Sequence, residues 1–470
     1  MRSSGFTDGH VMSRASWCWF GACAVLAGLF TACASTPDPS SDVANGGTGS
    51  VAGTMAASAG ASGDARGGAF SNEGGAHAAG GAETGGARSS SGGAGVGGTS
   101  SSSAGAVAAG GFAPSGGSSA SGGVAGAAGR AGAGGAAGGA GGGTVGTTGP
   151  CDIYATANTP CVAAHSTVRA LYASYDGPLY QVRRASDKAT KDIPVLAAGS
   201  FVDVAVQDAF CSGTTCTISV LYDQSSKKND LVKSPVAHWL PNGGVEANAA
   251  NAKITVSGHV AHGIYVTANS NVAYRNNQTV GVAKGDGAEA MYMVVDGKRY
   301  NDSCCFDYGN AETSGNDDGN GTMEAVYWGS DITWGGKGDG SGPWVAADLE
   351  NGVFKANKGG WQSQSLSFPN SKSVIAAYAT AMLKGPSGNH FTLKAGSAQT
   401  GALTTMWDGT RPSSGYSPKK LQGAIILGTG GDGSNTGTGT FFEGAMTSGT
   451  PSDSVDDAIQ ANVVAAGYGR

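Results

Sequence analysis

Short apolar segments separated by turn-forming residues dominate the chain from residue 151 onward. Stretches rich in β-branched and aromatic residues recur between clusters of Gly, Asn, Asp and Ser. The predicted strands are 217–223, 290–296, 323–329, 373–383, 390–396 and 423–428. Many short strands with frequent turn signals favour a sandwich or barrel over alternating strands and helices. The pattern therefore predicts an all-β sandwich.

Helical spacing is found only twice in this part of the sequence. The first predicted helix ends at a Gly-Pro pair and rests on five apolar residues, Val162, Val168, Leu171, Tyr172 and Tyr175. The second rests on Val455, Ile459 and Val463, which repeat every fourth residue, with Ser452 or Asp453 as its N-cap. The sandwich should therefore carry few, short helices.

The first 33 residues have the pattern of an export signal. Residues 15–33 are uncharged and mostly apolar, and Arg14 precedes them. A basic start, an apolar middle and small residues at the end are typical of a signal peptide. The final residues resemble a bacterial lipobox, which would make Cys33 a lipidated residue and anchor the protein to a membrane. An ordinary cleaved signal with an incidental cysteine is the alternative.

Residues 34–150 have the composition of a tether. The chain contains 83 glycines among 470 residues, and 36–150 contain no Trp, Tyr, Leu, Ile or Cys. So little apolar surface cannot offset the entropy of ordering a chain. We therefore expect a signal peptide over 1–33, a disordered tether over 34–150 and one folded domain over 151–470. A cell-surface or outer-membrane lipoprotein, or otherwise a secreted protein, is the predicted location.

Charge and cysteine content narrow the function further. The net charge is -6, and the sequence contains no basic cluster of the kind that binds nucleic acid, so we expect no such partner. Six cysteines follow residue 150 as close pairs, which in an exported chain favours local disulfides. The predicted pairs are Cys151–Cys161, Cys211–Cys216 and Cys304–Cys305. For the adjacent pair, free or differently paired thiols remain an alternative.

Two carboxylates have unusual surroundings. Alternation along WVAADLENG places Asp348 and Glu350 on one face of a predicted strand, and Asp432 follows the apolar AIIL strand between glycines. Glycines beside a carboxylate leave room for a ligand to approach the backbone. A glycosidase needs two such groups, but carboxylates at strand ends can also simply solvate turns.

Two segments resemble cofactor-binding or metal-binding motifs, but the residues around them do not fit either kind of site. Residues 428–433 match GxGxxG after a strand, yet no apolar helix start follows. The stretch from Asn316 faintly resembles a calcium loop, but Tyr327 replaces the glutamate at position 12. We expect neither a cofactor nor a metal.

Several long motifs carry a resemblance to a known family. The segments are HSTVRALYASYDGPLYQVRRASD (165–187), LYDQSSKKNDL (221–231), CCFDYGNAET (304–313), WVAADLENG (344–352) and FFEGAMTSGTPSD (441–453). Together they resemble glycoside hydrolase family 54, the arabinofuranosidases B, over the whole predicted domain. The resemblance implies a concanavalin A-like β-sandwich, or jelly-roll, with retaining chemistry.

The resemblance also implies roles for individual residues. Glu350 of the DLENG motif would be the nucleophile, and Asp432 of the GGD motif would be the general acid/base. Six further residues would bind the sugar: Asp348, Asn351, Gly431, Trp334, and Cys304 with Cys305 as a vicinal disulfide. Glu350 would have to be ionised, with Asn351 as a possible donor to it, and Asp432 would have to carry a proton.

The predicted function is that of a retaining, exo-acting α-L-arabinofuranosidase. It would release terminal non-reducing L-arabinofuranosyl groups from arabinoxylan or arabinan, and act as a monomer. The alternative is a non-catalytic carbohydrate-binding sandwich on a surface tether, in which Glu350 and Asp432 bind sugar hydroxyls. Loss of turnover on replacing Glu350 would separate these two hypotheses.

Overall fold

The structure is a computed structural model that describes residues 148–413 and 415–470. The predicted signal peptide, the lipidation site Cys33 and nearly all of the predicted tether lie outside the described residues.

Three helices occur in the described part of the chain: α1 (Pro150–Thr156), α2 (Val204–Phe210) and α3 (Asp453–Ala465). Helix α3 confirms the second predicted helix, and Ser452 is its N-cap. The first predicted helix is wrong. Its start is strand β1 (Cys161–Ser166), in which every residue is buried. A strand buried on both faces loses the alternation of polar and apolar residues, so spacing alone cannot distinguish it from a helix.

Two large antiparallel sheets form the sandwich, which confirms the predicted fold class. The ten-stranded sheet has the order β15 (Val353–Phe354), β14 (Trp344–Asp348), β12 (Glu324–Gly329), β11 (Asp307–Ala311), β20 (Ala424–Leu427), β9 (Tyr274–Asn276), β5 (Leu231–Lys233), β4 (Cys216–Leu221), β2 (Pro178–Arg184), β3 (Thr190–Pro194). The seven-stranded sheet has the order β1, β21 (Gly439–Ser448), β10 (Glu289–Asp296), β17 (Tyr378–Gly385), β18 (Phe391–Ser397), β19 (Thr404–Gly409), and β8 (Ile264–Val266) also pairs with β21.

The remaining described strands form two small two-stranded sheets. One pairs β6 (Lys253–Val256) with β7 (His259–His262), and the other pairs β13 (Lys337–Asp339) with β16 (Ser367–Lys372) in parallel. Five predicted strands coincide with β4, β10, β12, β18 and β20. The sixth, 373–383, begins too early because Ile375 is 86% exposed, and β17 starts only at Tyr378.

Alternation along the strands separates two buried faces of the ten-stranded sheet. In β14, Val345 and Ala347 belong to the main core between the sheets, whereas Ala346 packs on the opposite face with Tyr327 and Val353. Since side chains alternate along a strand, Asp348 shares the face of Ala346. Polar side chains of this outer face are therefore held by a rigid sheet, but point away from the core.

The part of the chain that the structure describes contains three disulfides, with the pairing predicted from the sequence. Cys151–Cys161 joins α1 to β1, Cys211–Cys216 joins the end of α2 to β4, and Cys304–Cys305 links two neighbouring residues before β11. Across residues 148–413 and 415–470, every helix is too short or too polar to cross a membrane.

Candidate active site

A cavity of about 700 Å³ opens on the outer face of the ten-stranded sheet. Every catalytic or sugar-binding residue predicted from the sequence lines this cavity: Cys304, Cys305, Trp334, Asp348, Glu350, Asn351, Gly431 and Asp432. The fold thus brings together residues from four separate stretches of sequence, 304–305, 334, 348–351 and 431–432.

Glu350 lies at the tip of the hairpin that joins β14 to β15. The ladder ends at Asp348 opposite Val353, and the Leu349 amide donates to the Gly352 carbonyl at 3.2 Å. Glu350 and Asn351 are therefore the two central residues of a tight turn, with φ of 65° and 55°. Paired positive φ values suit the twist of hairpins. The sequence pattern predicts Glu350 within a strand. This prediction is wrong, because Glu350 lies in the turn that follows β14.

Positive φ is costly for glutamate because its Cβ crowds the backbone in the left-handed region. Asparagine tolerates this region better, and glycine tolerates it without strain. A strained backbone at a cavity wall is a frequent property of functional sites. Here the turn aims the Glu350 side chain at the cavity.

Asp348 holds the turn and contacts the vicinal disulfide. Its Oδ1 accepts a hydrogen bond from the Glu350 amide at 3.1 Å, and its Oδ2 lies 3.3 Å from the Cys305 sulfur and 3.7 Å from the Cys304 sulfur. Disulfide sulfurs carry no hydrogen, so these are packing contacts. Burial raises the pKa of Asp348 to about 7.

Asp307, on β11, lies beneath Asp348. Burial, and then the adjacent Asp348 carboxyl, raise the pKa of Asp307 well above its usual range, which favours the protonated form of Asp307.

Among the described residues, Cys304, Cys305, Asp307 and Asp348 form a group whose ligand-type atoms lie within 4.8 Å of one another. Metal binding by cysteine requires the thiolate, and both sulfurs are consumed in the disulfide. Only two carboxyls remain, and burial favours the protonated form of both, so the group does not suit a metal.

Asp432 follows β20 in a glycine-rich loop and is half-buried. Its Oδ1 accepts a hydrogen bond from the Ser434 amide at 2.9 Å, and its carbonyl accepts one from the Trp239 amide at 3.0 Å. The first bond fixes one oxygen of the carboxyl and leaves Oδ2 for a ligand, whereas the second holds the backbone of the loop. The Ser434 hydroxyl also donates to the Cys305 sulfur at 3.4 Å, which connects this loop to the disulfide.

Two residues that the sequence analysis missed support the cavity floor. Arg275, on β9, donates from Nη1 to the Gly431 carbonyl at 2.6 Å and from Nη2 to the Glu312 carbonyl. Glu312 directly follows β11 and is fully buried, and its Oε1 accepts a hydrogen bond from the Thr322 hydroxyl at 2.5 Å. Neither residue has a spacing that links it to Glu350, so pattern alone could not find them.

Glu312 also explains the glycine before Asp432. A Cβ on Gly431 would overlap the Glu312 Oε2 atom, although the Gly431 backbone itself is not left-handed. Position 431 therefore needs glycine for space, because the carboxyl of Glu312 occupies the volume where a side chain would start.

Glu350 sits among other carboxyls and is only 6% exposed. Burial first, and then the Glu312 and Asp348 carboxyls, raise the pKa of Glu350 far above its usual range. Burial also raises the pKa of Glu312, whose carboxyl is in hydrogen-bonding contact with that of Glu350. Two buried carboxyls in contact disfavour the state in which both are ionised.

Aromatic and amide side chains complete the walls. Trp334 lies 5.3 Å from Trp361, measured between ring centroids, and Trp361 and Trp239 are 54% and 62% exposed. The Asn351 amide donates to Asp317 Oδ1 at 3.1 Å rather than to Glu350, so the suggestion that Asn351 holds the charge on Glu350 does not fit this structure.

Comparison with known proteins gives consistent matches. Residues 150–469 match the family described as "Alpha-L-arabinofuranosidase B, catalytic". The chain is 50% identical over 336 residues to a probable alpha-L-arabinofuranosidase B of Aspergillus fumigatus, covering 69% of this chain and 63% of that protein. It is 49% identical over 336 residues to an arabinofuranosidase/B-xylosidase of Trichoderma koningii, covering 69% and 64%.

A solved relative shares the structure as well. A crystal structure of an arabinofuranosidase complexed with arabinofuranosyl-alpha-1,2-xylobiose is 46% identical, with a TM-score of 0.65 over 68% of this chain and 66% of that chain. The chain thus spans less than two thirds of the length of the curated relatives it matches.

Proposed function

The chain belongs to the family of α-L-arabinofuranosidase B catalytic domains, and from this premise we propose that it is a retaining, exo-acting α-L-arabinofuranosidase. It would release terminal non-reducing L-arabinofuranosyl groups from arabinoxylan or arabinan. The observation that carries the proposal is the convergence of Glu350, Asp432, Asp348 and the vicinal disulfide on one cavity of about 700 Å³.

In the proposed reaction Glu350 is the nucleophile and Asp432 the general acid/base. A Glu350 oxygen bonds to C1 of the arabinofuranose while the glycosidic C1–O bond breaks, and Asp432 gives its proton to the leaving oxygen. Water then attacks C1 as the bond to Glu350 breaks, and Asp432 takes a proton from that water. Two inversions at C1 retain the anomeric configuration.

The remaining cavity residues are proposed to hold the sugar. Asp348 and Asn351 offer hydrogen-bonding groups beside Glu350, and Gly431 lets the ring approach the backbone. Trp334 and the Cys304–Cys305 sulfurs provide apolar surfaces. Crystals of one relative contain arabinofuranosyl-alpha-1,2-xylobiose, which supports a terminal arabinofuranosyl group as the bound unit.

The first experiment measures hydrolysis of 4-nitrophenyl α-L-arabinofuranoside and of an arabinofuranosyl xylo-oligosaccharide. Glu350→Gln should abolish turnover of both. Asp432→Asn should lower kcat/KM for the oligosaccharide by about 1,000-fold, and less for the nitrophenyl substrate, whose leaving group needs no proton. Asp457→Asn, an exposed change on α3, should leave both rates unchanged.

The alternative is the non-catalytic, carbohydrate-binding sandwich. It would be favoured if the folded parent bound arabinosides without hydrolysing them, and if Glu350→Gln left that binding unchanged. For an active parent, NMR of the first product should show the α-anomer, and initial formation of the β-anomer would contradict a retaining mechanism.

We further propose that the protein is exported, is anchored by lipid at Cys33 and acts as a monomer. The signal-like segment over residues 15–33 and the tether-like composition of 34–150 support the first two points. Cys33→Ser should move the protein from the membrane fraction to the soluble fraction, and an unchanged distribution would contradict the anchor. Light scattering measures the mass of the protein in solution, which should be that of a monomer.

A further inference from the structure

Glu312 is a buried carboxyl that the reaction described above does not use. It follows β11, is fully buried and contacts the carboxyl of the proposed nucleophile from beneath. Its Oε1 accepts a hydrogen bond from the Thr322 hydroxyl, but its buried Oε2 has no N–H or O–H donor among the described residues.

This arrangement poses a chemical problem for Glu350. A nucleophilic carboxyl must reach C1 as a carboxylate, yet burial beside Glu312, Asp348 and Asp432 favours the protonated form of Glu350. Arg275 is the nearby cation, and its two carbonyl contacts place it against Glu312 and Gly431. The positive charge thus lies on the Glu312 side of the pair, where it stabilises a negative charge on either carboxyl.

We propose that Glu312 is a positioning residue that shares a single proton with Glu350 and takes that proton as Glu350 attacks. The inference rests on the proposed function. In the first step the Glu350 oxygen bonds to C1, the glycosidic bond breaks, Asp432 protonates the leaving oxygen, and the shared proton moves fully to Glu312. In the second step water replaces Glu350 at C1, Asp432 takes the proton of the water, and the Glu312 proton is shared with the freed Glu350 again.

Thr322 and Arg275 hold Glu312 in position for this proton transfer. The Thr322 hydroxyl fixes Oε1, and Arg275 fixes the backbone carbonyl of Glu312, so the carboxyl is held in contact with that of Glu350. The titratable groups that face the pair are Arg275, Asp348, Asp432 and Tyr416, and the exposed Asp317 lies beyond them through Asn351.

The test measures the pH dependence of covalent labelling of Glu350 by an arabinofuranose-configured cyclic sulfate. A carboxylate opens this ring at C1 with the sulfate oxygen as leaving group, so labelling needs no proton from Asp432. An inhibitor of this class has been soaked into crystals of a relative. The rate of labelling is measured by intact-protein mass spectrometry for the full-length parent and for three variants, Glu312→Gln, Glu312→Ala and Glu289→Gln.

A shared proton stabilises the singly charged pair, because a charge-assisted hydrogen bond favours the ionised form. The acidic limb of the labelling rate should therefore move to higher pH when Glu312 is replaced. We expect a shift of about one to two pH units for Glu312→Ala, and a smaller one for Glu312→Gln, whose amide still donates. At the pH optimum of the parent, Glu312→Ala should label about 10- to 100-fold more slowly.

Glu289→Gln is the matched control, since Glu289 is equally buried but lies at the start of β10, away from the cavity lining. Its acidic limb should stay in place. The melting temperature of each variant shows whether a change in labelling rate comes from a folding defect or from a changed pKa in the carboxyl pair.

Two results would overturn the proposal. An acidic limb that moves to lower pH in both Glu312 variants would mean that Glu312 only repels the charge on Glu350. A limb that stays in place, with equal loss of stability in Glu312→Gln and Glu312→Ala, would mean a structural role. A parent that neither hydrolyses arabinofuranosides nor labels would instead reject the proposed function.

Discussion

At the scale of single residues, several buried carboxyl groups lie close together at the cavity, next to the guanidinium of Arg275. Asp307 pairs with Asp348, Glu312 pairs with Glu350, and Arg275 is the buried cation beside them. Within each pair, burial and repulsion between the two carboxyls disfavour the state in which both are ionised. This arrangement makes small polar changes at the cavity wall informative.

Asn351 is one such residue, since it combines a left-handed backbone with a polar side chain at the cavity. In Asn351→Gly the backbone φ of 55° costs no strain, while the amide that contacts Asp317 is lost. We expect kcat/KM to fall about tenfold and the melting temperature to stay within about 2 °C.

The control for this change is Asn158→Gly. Asn158 has a φ of 58° but is exposed and lies outside the cavity. It should affect neither quantity. Equal activity in Asn351→Gly and the parent would show that the amide does not contact substrate.

At the scale of elements, the β14–β15 hairpin links a rigid sheet to the chemistry. Ladder pairing with β12 holds β14 in place, and the two-residue turn then presents Glu350 at a fixed distance from the sheet. The left-handed φ of 65° at Glu350 is the local cost of that position.

We therefore predict that Glu350→Gly abolishes hydrolysis but stabilises the fold. Relief of the left-handed strain and loss of a buried carboxyl should raise the melting temperature by about 2–4 °C. Lys188→Gly relaxes a comparable φ of 63° in the exposed turn between β2 and β3, so it calibrates the backbone contribution alone. A Glu350→Gly protein that melts below the parent would contradict the strain argument.

The elements also show how far sequence reasoning reached. Strands such as β10 and β20 were predictable because β-branched and aromatic runs end at turn residues, and α3 because its apolar residues repeat every fourth position. The first predicted helix was wrong because β1 is buried on both faces. Within the site, DLENG and GGD located Glu350 and Asp432 through family resemblance. Glu312 and Arg275 depend on strand order, which no local pattern contains.

At the scale of the whole molecule, a second buried cluster ties the two sheets together. Glu324 of β12 accepts hydrogen bonds from Arg411 and from Lys419, whose Nζ also donates to the Gly385 carbonyl of β17 at 2.7 Å. Glu289 of β10 lies beside this cluster, and burial, then the Glu324 charge, raise the pKa of Glu289 to about 8. The interlayer core therefore contains a carboxyl that is neutral at moderate pH.

This carboxyl should make stability depend on pH. The folded state keeps the Glu289 proton up to about pH 8, whereas the unfolded chain loses it near its ordinary value of 4.5. Because the folded state then binds more protons, stability is full below about pH 4.5 and decreases as pH rises toward 8. Glu289→Gln should reduce the fall in melting temperature between pH 5 and pH 8 by about 4 °C.

Calorimetry at several pH values measures this slope. Asp457→Asn, on the exposed face of α3, serves as the comparison and should leave the slope unchanged. A slope in Glu289→Gln that equals that of the parent would place the pH dependence elsewhere in the core.

The overlap between position 431 and the Glu312 carboxyl has an evolutionary consequence. Any residue larger than glycine at 431 would have to displace the Glu312 carboxyl, and shortening the residue at 312 would remove the partner of Glu350 before any gain at 431 could follow. The two positions are thus epistatic, and each single step passes through a less fit intermediate. Among functional descendants of this chain, glycine at 431 and glutamate at 312 should be kept together or lost together.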